Sequence, residues 1–141
     1  MANSLHVPLA YLPKNLQQLQ NEIANAFVEF GELPPITKFE KKSNHEESLL
    51  KNFVMVNGEN EEMQCWISFN ECTEEISERP GYNYIAAIQT RRNVNFSGIV
   101  AYGLCKYAGY IVFNDSGVFD GQESYTTESL KTILKLKLIH K

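Results

Sequence analysis

The sequence predicts an α+β fold: a mainly antiparallel sheet of about five or six strands with about three helices packed on it. Three observations carry that expectation. Two segments near the ends of the chain place apolar residues at a period of 3.6. Between them, β-branched and aromatic residues alternate with polar ones at a period of two, around the turn signal "NGEN". From Asn93 the period changes from two back to about 3.6. The chain has 141 residues, which suits one domain over residues 1–141 with one core. Apolar residues make up 43% and charged residues 21%, ordinary usage for a globular chain.

The elements follow in order. "SLHVPLAYL", residues 4–12, reads as a short strand, and Pro8 places it at a sheet edge, because proline has no N–H for a ladder. In "LPKNLQQLQNEIANAFVEFGELPP", residues 12–35, Leu16, Leu19, Ile23, Phe27 and Phe30 form one helical stripe, and Gln and Asn residues fill the other face. Pro13 suits the first turn, Gly31 the stop, and Pro34 with Pro35 prevents continuation. Residues 36–48 are polar and read as loop, with at most an irregular strand. Residues 49–71 form a hairpin. Leu50, Asn52, Val54 and Val56 share one face, with Phe53 and Met55 on the other, and Gly58 takes a positive φ in the turn. On the return strand Met63, Cys65, Ile67 and Phe69 alternate with Gln64, Trp66 and Ser68. "ECTEEISERPG" is a polar connection and "YNYIAAIQTRR" a strand.

The helix after Asn93 carries Phe96, Ile99, Val100, Gly103, Leu104 and Tyr107 on one stripe. Gly98 and Gly103 cost about 1 kcal/mol each relative to alanine, so a close approach of this helix to the sheet is expected there. Gly109 is expected as a left-handed stop, and Lys106 complements the helix dipole. "YIVFN" is then a buried strand, "NDSG" a turn, and "VFDG" the start of a return strand. "YTTESLKTILKLKLIH" is the closing amphipathic helix, with Thr126 or Thr127 as N-cap and Leu130, Ile133 and Leu134 inward. Its tail also reads as an extended segment, because "LKLKLIH" alternates.

The chemistry-bearing residues are few. There is no Gly-rich phosphate loop, no GxSxG, no HExxH and no CxxC. Cys65, Cys72 and Cys105 have no metal-ligand spacing and read as reduced thiols, as in a cytoplasmic protein. His6, His45 and His140 lack neighbours at ligand spacing. Asp115 and Asp120 flank "SGVF", where aspartate is a good turn residue. With Arg91 they make the only alternative catalytic grouping. No cofactor is expected, and the chain is not expected to be an enzyme. No apolar run approaches the roughly 20 residues of a membrane span, and "MANSLHVPLAYLP" has no secretory pattern.

Charge is more informative. Net charge is −4, which disfavours direct binding of nucleic acid. Glu59, Glu61, Glu62, Glu71, Glu74, Glu75 and Glu78 form a run with no base, ended by Arg79. Such a run is either a solvated face or a docking surface for a basic partner. The candidate partner-binding residues are Glu59, Glu61, Glu62, Glu71, Glu74 and Glu75, with Trp66 and Tyr82 as aromatic anchors, because Trp and Tyr dominate interface hot spots.

Residues 84–120 add a resemblance. A strand ending "AIQTRR", a helix "NFSGIVAYGLCKYAG" and then "YIVFNDSG" resemble a group of small bacterial immunity proteins. These protect cells against the toxin domains of contact-dependent growth inhibition and related polymorphic toxin systems. The resemblance implies a cytoplasmic antitoxin that binds and neutralises the C-terminal domain of a cognate toxin. Many such toxins are nucleases, whose clefts are basic because their substrate is a polyanion. It transfers no defined binding residues. A small regulatory or adaptor module that binds another protein would share the charge and the fold.

Overall fold

The computed structural model describes residues 3–40, 48–50 and 52–139. Strands β1 (Asn3–Leu9), β2 (Ile36–Phe39), β3 (Val54–Asn57), β4 (Gln64–Glu71), β5 (Tyr84–Thr90), β6 (Val112–Phe113) and β7 (Ser124–Tyr125) form one sheet in the order β2-β3-β4-β5-β1-β6-β7. Every neighbouring pair is antiparallel. The helices are α1 (Leu16–Glu29), the single turn α2 (Glu74–Ser77), α3 (Val94–Ala108) and α4 (Thr127–Ile139). The α+β class is as the sequence predicts, with slightly more elements. The additions are short: the four-residue β2 in the stretch read as loop, and the one-turn α2 in the polar connection.

Alternation decides which face is covered. Leu5, Val7 and Leu9 of β1, Val54 and Val56 of β3, Cys65, Ile67 and Phe69 of β4, and Ala86 and Ile88 of β5 are buried in one core with α1, α3 and α4. Helix α3 lies centrally, against β1, β4 and β5, with α1 and α4 packed beside it. Its residues Phe96 to Cys105 are therefore all buried, and the single stripe expected for it is replaced by burial all round. On the opposite face of the sheet Met55, Trp66, Ser68, Ala87 and His6 are only half-buried.

The glycines of α3 serve helix–helix contacts, which corrects the expectation of an approach to the sheet. A Cβ on Gly103 would lie 3.0 Å from Ala26 Cβ and 3.3 Å from the Glu22 carbonyl oxygen, both on α1. A Cβ on Gly98 would meet Phe119 at 2.7 Å and Leu134 of α4 at 2.8 Å. Gly109 is extended (φ −107°, ψ −177°) and not left-handed. It is a glycine because a Cβ would lie 2.9 Å from Cys105 Cα and 3.0 Å from the Pro8 carbonyl oxygen.

Other local expectations are also revised. Helix α1 starts at Leu16, not at Pro13, because the Asn15 side chain caps it by accepting from Gln18 N at 2.8 Å. Gln20 of α1 then holds β2 in place: its Oε1 accepts from Thr37 N at 2.6 Å and from Thr37 Oγ1 at 2.7 Å. Strand β1 lies inside the sheet, between β5 and β6, and not at an edge. Pro8 is tolerated there because the N–H groups of its parity, Ser4 and Ala10, point away from β5, to Ser116 Oγ and the Ala108 carbonyl. On that side β6 pairs with β1 only at His6–Phe113, so no ladder bond is missing at Pro8. The return strand is β7, and "VFDG" is a turn with Phe119 at φ 60°. Thr126 caps α4, accepting from Ser129 N at 3.1 Å, and the helix runs through Ile139 rather than ending extended. His45 and His140 lie outside the described residues.

Candidate partner-binding surface

Strand β4 divides the acidic run. Glu59, Glu61 and Glu62 precede it in the β3–β4 loop, whereas Glu71 ends it and Glu74, Glu75 and Glu78 follow in and after α2. An eight-residue strand is about 25 Å long, so the run becomes two surfaces at opposite ends of the sheet.

The first surface is the β3–β4 loop. Gly58 N donates to the Met63 carbonyl at 2.6 Å, and Asn60 Oδ1 accepts from Glu62 N at 3.0 Å. Gly58 does not take the expected positive φ. It is a glycine because a Cβ would meet Met63 Cβ at 2.7 Å and Phe96 at 2.9 Å. The loop is thus folded down onto the start of α3, with Glu59, Glu61 and Glu62 exposed. Trp66 stands on the face opposite Cys65 and Ile67, in register with Met55 of β3 and Gln89 of β5. The Arg91 guanidinium lies 5.9 Å from its ring centroid. Arg92 lines a shallow depression with Glu62. This end therefore mixes acids with two arginines.

The second surface is the β4–β5 connection. The Thr73 side chain caps α2, accepting from Ile76 N at 3.4 Å. Glu74 Oε2 accepts from Gly81 N at 2.6 Å, so this carboxylate holds the loop closed. Ser77 is fully buried, and its carbonyl accepts from Tyr110 Oη at 2.5 Å. The rings of Tyr82 and Tyr110 meet edge to face at 4.8 Å, and the Arg79 guanidinium sits 4.8 Å from the Tyr110 centroid and 5.7 Å from that of Tyr82. Tyr82 is half-buried and braces the loop from beneath. Glu71, Glu75 and Glu78 of the same connection are exposed, and so is Ile76, at 57%. Tyr11 is exposed at the same end, because Leu9 at the close of β1 pairs with Tyr84.

The remaining candidates have partners of their own. His6 Nδ1 lies 2.6 Å from Asp115 Oδ2, Asp120 accepts from the Tyr125 hydroxyl and from Gln122 Nε2, and Arg91 is stacked on Trp66. Asp115, Asp120 and Arg91 are thus engaged separately. All three cysteines are free thiols, and burial raises the pKa of each. Among the described residues no group of three or more His, Cys, Asp and Glu side chains could hold a metal ion. No helix among them is long and apolar enough to cross a membrane.

Sequence reasoning missed Ile76, although an isoleucine between acids in "TEEISER" was the available signal. It also missed the support from Tyr110 and Arg79, which no spacing reveals, because Tyr110 comes from beyond α3. No family model, curated protein or solved structure matches this chain.

Proposed function

We propose that this protein is an immunity-type antitoxin that binds a basic toxin domain, a nuclease being the fitting class, and neutralises it in the cytoplasm. The observation that carries the reading is the braced β4–β5 connection, a short segment that exposes Glu71, Glu75 and Glu78 together with Ile76. Fixed carboxylates steer a basic partner toward the surface and raise its association rate. An exposed apolar side chain beside such charges is shielded from water once a partner covers it, as an interface hot spot is. The Thr73 cap, the Glu74–Gly81 bond and the Tyr82–Arg79–Tyr110 stack pre-order the loop, which lowers the ordering cost of binding. An acidic surface seated in a nuclease cleft also excludes the nucleic acid by occupying the same cationic groups.

The test is co-expression with the product of the gene immediately upstream. A stable complex, cell survival and an association rate that falls as salt rises are expected. Reversing Glu71, Glu75 and Glu78 to lysine should slow association at least tenfold while the fold persists, because all three side chains are exposed. Glu74 is left alone, since it closes the loop. A folded triple variant that binds and protects like wild type sinks the proposal.

A further inference from the structure

The last turns of α4 expose Lys135, Leu136, Lys137 and Ile139, with Leu136 at 51% and Ile139 at 72%. Lys135, Leu136 and Ile139 fall within about 100° of one another around the helix, so the two apolar side chains stand beside a cation. The other charges of α4 are placed differently. Lys131 lies 3.0 Å from Glu29 Oε2, and Glu128 stands two turns before Lys135, about 10 Å back along the axis. The β4–β5 connection has the opposite character. Ile76 is exposed there in one short segment with Glu71, Glu75 and Glu78. The base of that segment, Arg79, is held against the rings of Tyr110 and Tyr82, and Glu74 is bonded to Gly81 N.

The two surfaces lie at opposite ends of the molecule. Helix α4 starts beside the end of α3, where Thr127 Oγ1 lies 3.2 Å from Cys105 Sγ, and it ends beside the start of α3, where Leu138 shares a cleft with Asn95 and Phe96. Tyr110, just beyond the end of α3, bonds the Ser77 carbonyl of the acidic connection. The 15 residues of α3, about 22 Å, therefore separate the basic surface from the acidic one. One copy cannot join them, but two copies can.

We propose that the end of α4 receives the β4–β5 connection of a second copy of this chain, head to tail. Lys135 and Lys137 meet the carboxylates, and Ile76 is covered together with Leu136 and Ile139. Because the two surfaces differ and face apart, every pair keeps one free surface of each kind. The association is heterologous and grows into chains rather than closing as a symmetric dimer. A basic partner on the acidic connection caps such a chain. The inference needs this chain alone and does not rest on the toxin reading.

The test is sedimentation equilibrium of the full chain across a wide concentration range, at low and at high salt. Wild type should grow in weight-average mass past that of a dimer as concentration rises, and should return to the 16.1 kDa monomer when salt screens the charges. A loop variant carries Glu71→Gln, Glu75→Gln, Ile76→Ser and Glu78→Gln, and a helix variant carries Lys135→Gln, Leu136→Ser and Lys137→Gln. Each alone should self-associate about tenfold more weakly than wild type. Mixed in equal amounts they should form a dimer and stop, because one intact surface of each kind remains. Unchanged melting midpoints show that both variants fold. A wild type that stays monomeric, a plateau at the dimer, either variant associating like wild type, or a mixture of folded variants that stays monomeric overturns the proposal. The helix variant should still bind the upstream gene product as wild type does, so this proposal and the toxin reading fail separately.

Discussion

Glu29 ties three helices together with one carboxylate. Its Oε2 accepts from Tyr102 Oη at 2.6 Å and lies 3.0 Å from Lys131 Nζ, and its Oε1 lies 2.8 Å from Lys106 Nζ. Burial pushes the Glu29 pKa up, but the bonds from Lys106, Tyr102 and Lys131 outweigh it and bring the value from 4.5 to about 2. The folded state therefore favours the ionised form. The resulting stability is present above pH 4.5 and is lost as the pH falls toward 2, on the order of 2 kcal/mol with allowance for screening. Urea midpoints should drop more between pH 6 and pH 3 in wild type than in Glu29→Gln, and parallel drops would count against this account. Gly103 makes a second residue-scale prediction. Leucine there would drive atoms into Ala26 and the α1 backbone and cost about 1–3 kcal/mol, read as a lowered denaturant midpoint. A raised midpoint would mean that helix propensity outweighs the contact.

At the scale of elements, the segment between β6 and β7 depends on one asparagine. Asn114 is 5% exposed; its Nδ2 donates to the carbonyls of Val118 and Gln122, and its Oδ1 accepts from Val118 N at 3.1 Å. Asn114→Ala leaves these groups unpaired and should cost about 2–3 kcal/mol, with faster amide exchange at Val118 than at Leu104 of α3. Uniform exchange across both would show that the segment has no local dependence on Asn114. The sequence marked Asn114 as the start of the turn "NDSG" but not as the residue that holds the whole segment, because its side-chain partners lie in turn residues without periodicity. The legible elements were the helices α1, α3 and α4 and the strands β1, β3, β4, β5 and β6, the last as part of "YIVFN". Strand β2 has four residues, β7 two and α2 one turn, so tertiary bonds, not patterning, define them. The edge placement of β1 failed for a related reason. Proline forbids a ladder bond on one side of a strand only, and local sequence does not reveal which strand lies on that side.

At the scale of the molecule, a charge run contiguous in sequence became two surfaces because a strand carries its ends apart. The acids themselves were legible. Their division, the arginines near the first group and the apolar anchor within the second were not, since each depends on how β4 lies in the sheet. The two surfaces are separable by experiment. Reversing Glu59, Glu61 and Glu62 to lysine should leave association with the upstream gene product within about twofold, whereas reversing Glu71, Glu75 and Glu78 should slow it at least tenfold. Stopped-flow binding at two salt concentrations measures both, and equal effects would mean that only net charge matters.

Strand β1 is the first strand in the chain and stands near the middle of the sheet, with Asn3 paired to Thr90 and Leu9 to Tyr84. On the ribosome it emerges long before either neighbour exists. The hairpin β3–β4 can form from local residues, but β1 must remain unpaired, with Leu5, Val7 and Leu9 exposed, until β5 has been made. Closure of the sheet is thus a late, long-range step, and only then does the face on which α3 packs become complete. Any activity carried by the two ends of the sheet waits on that closure, because β1 joins the four strands β2–β5 to the β6–β7 pair.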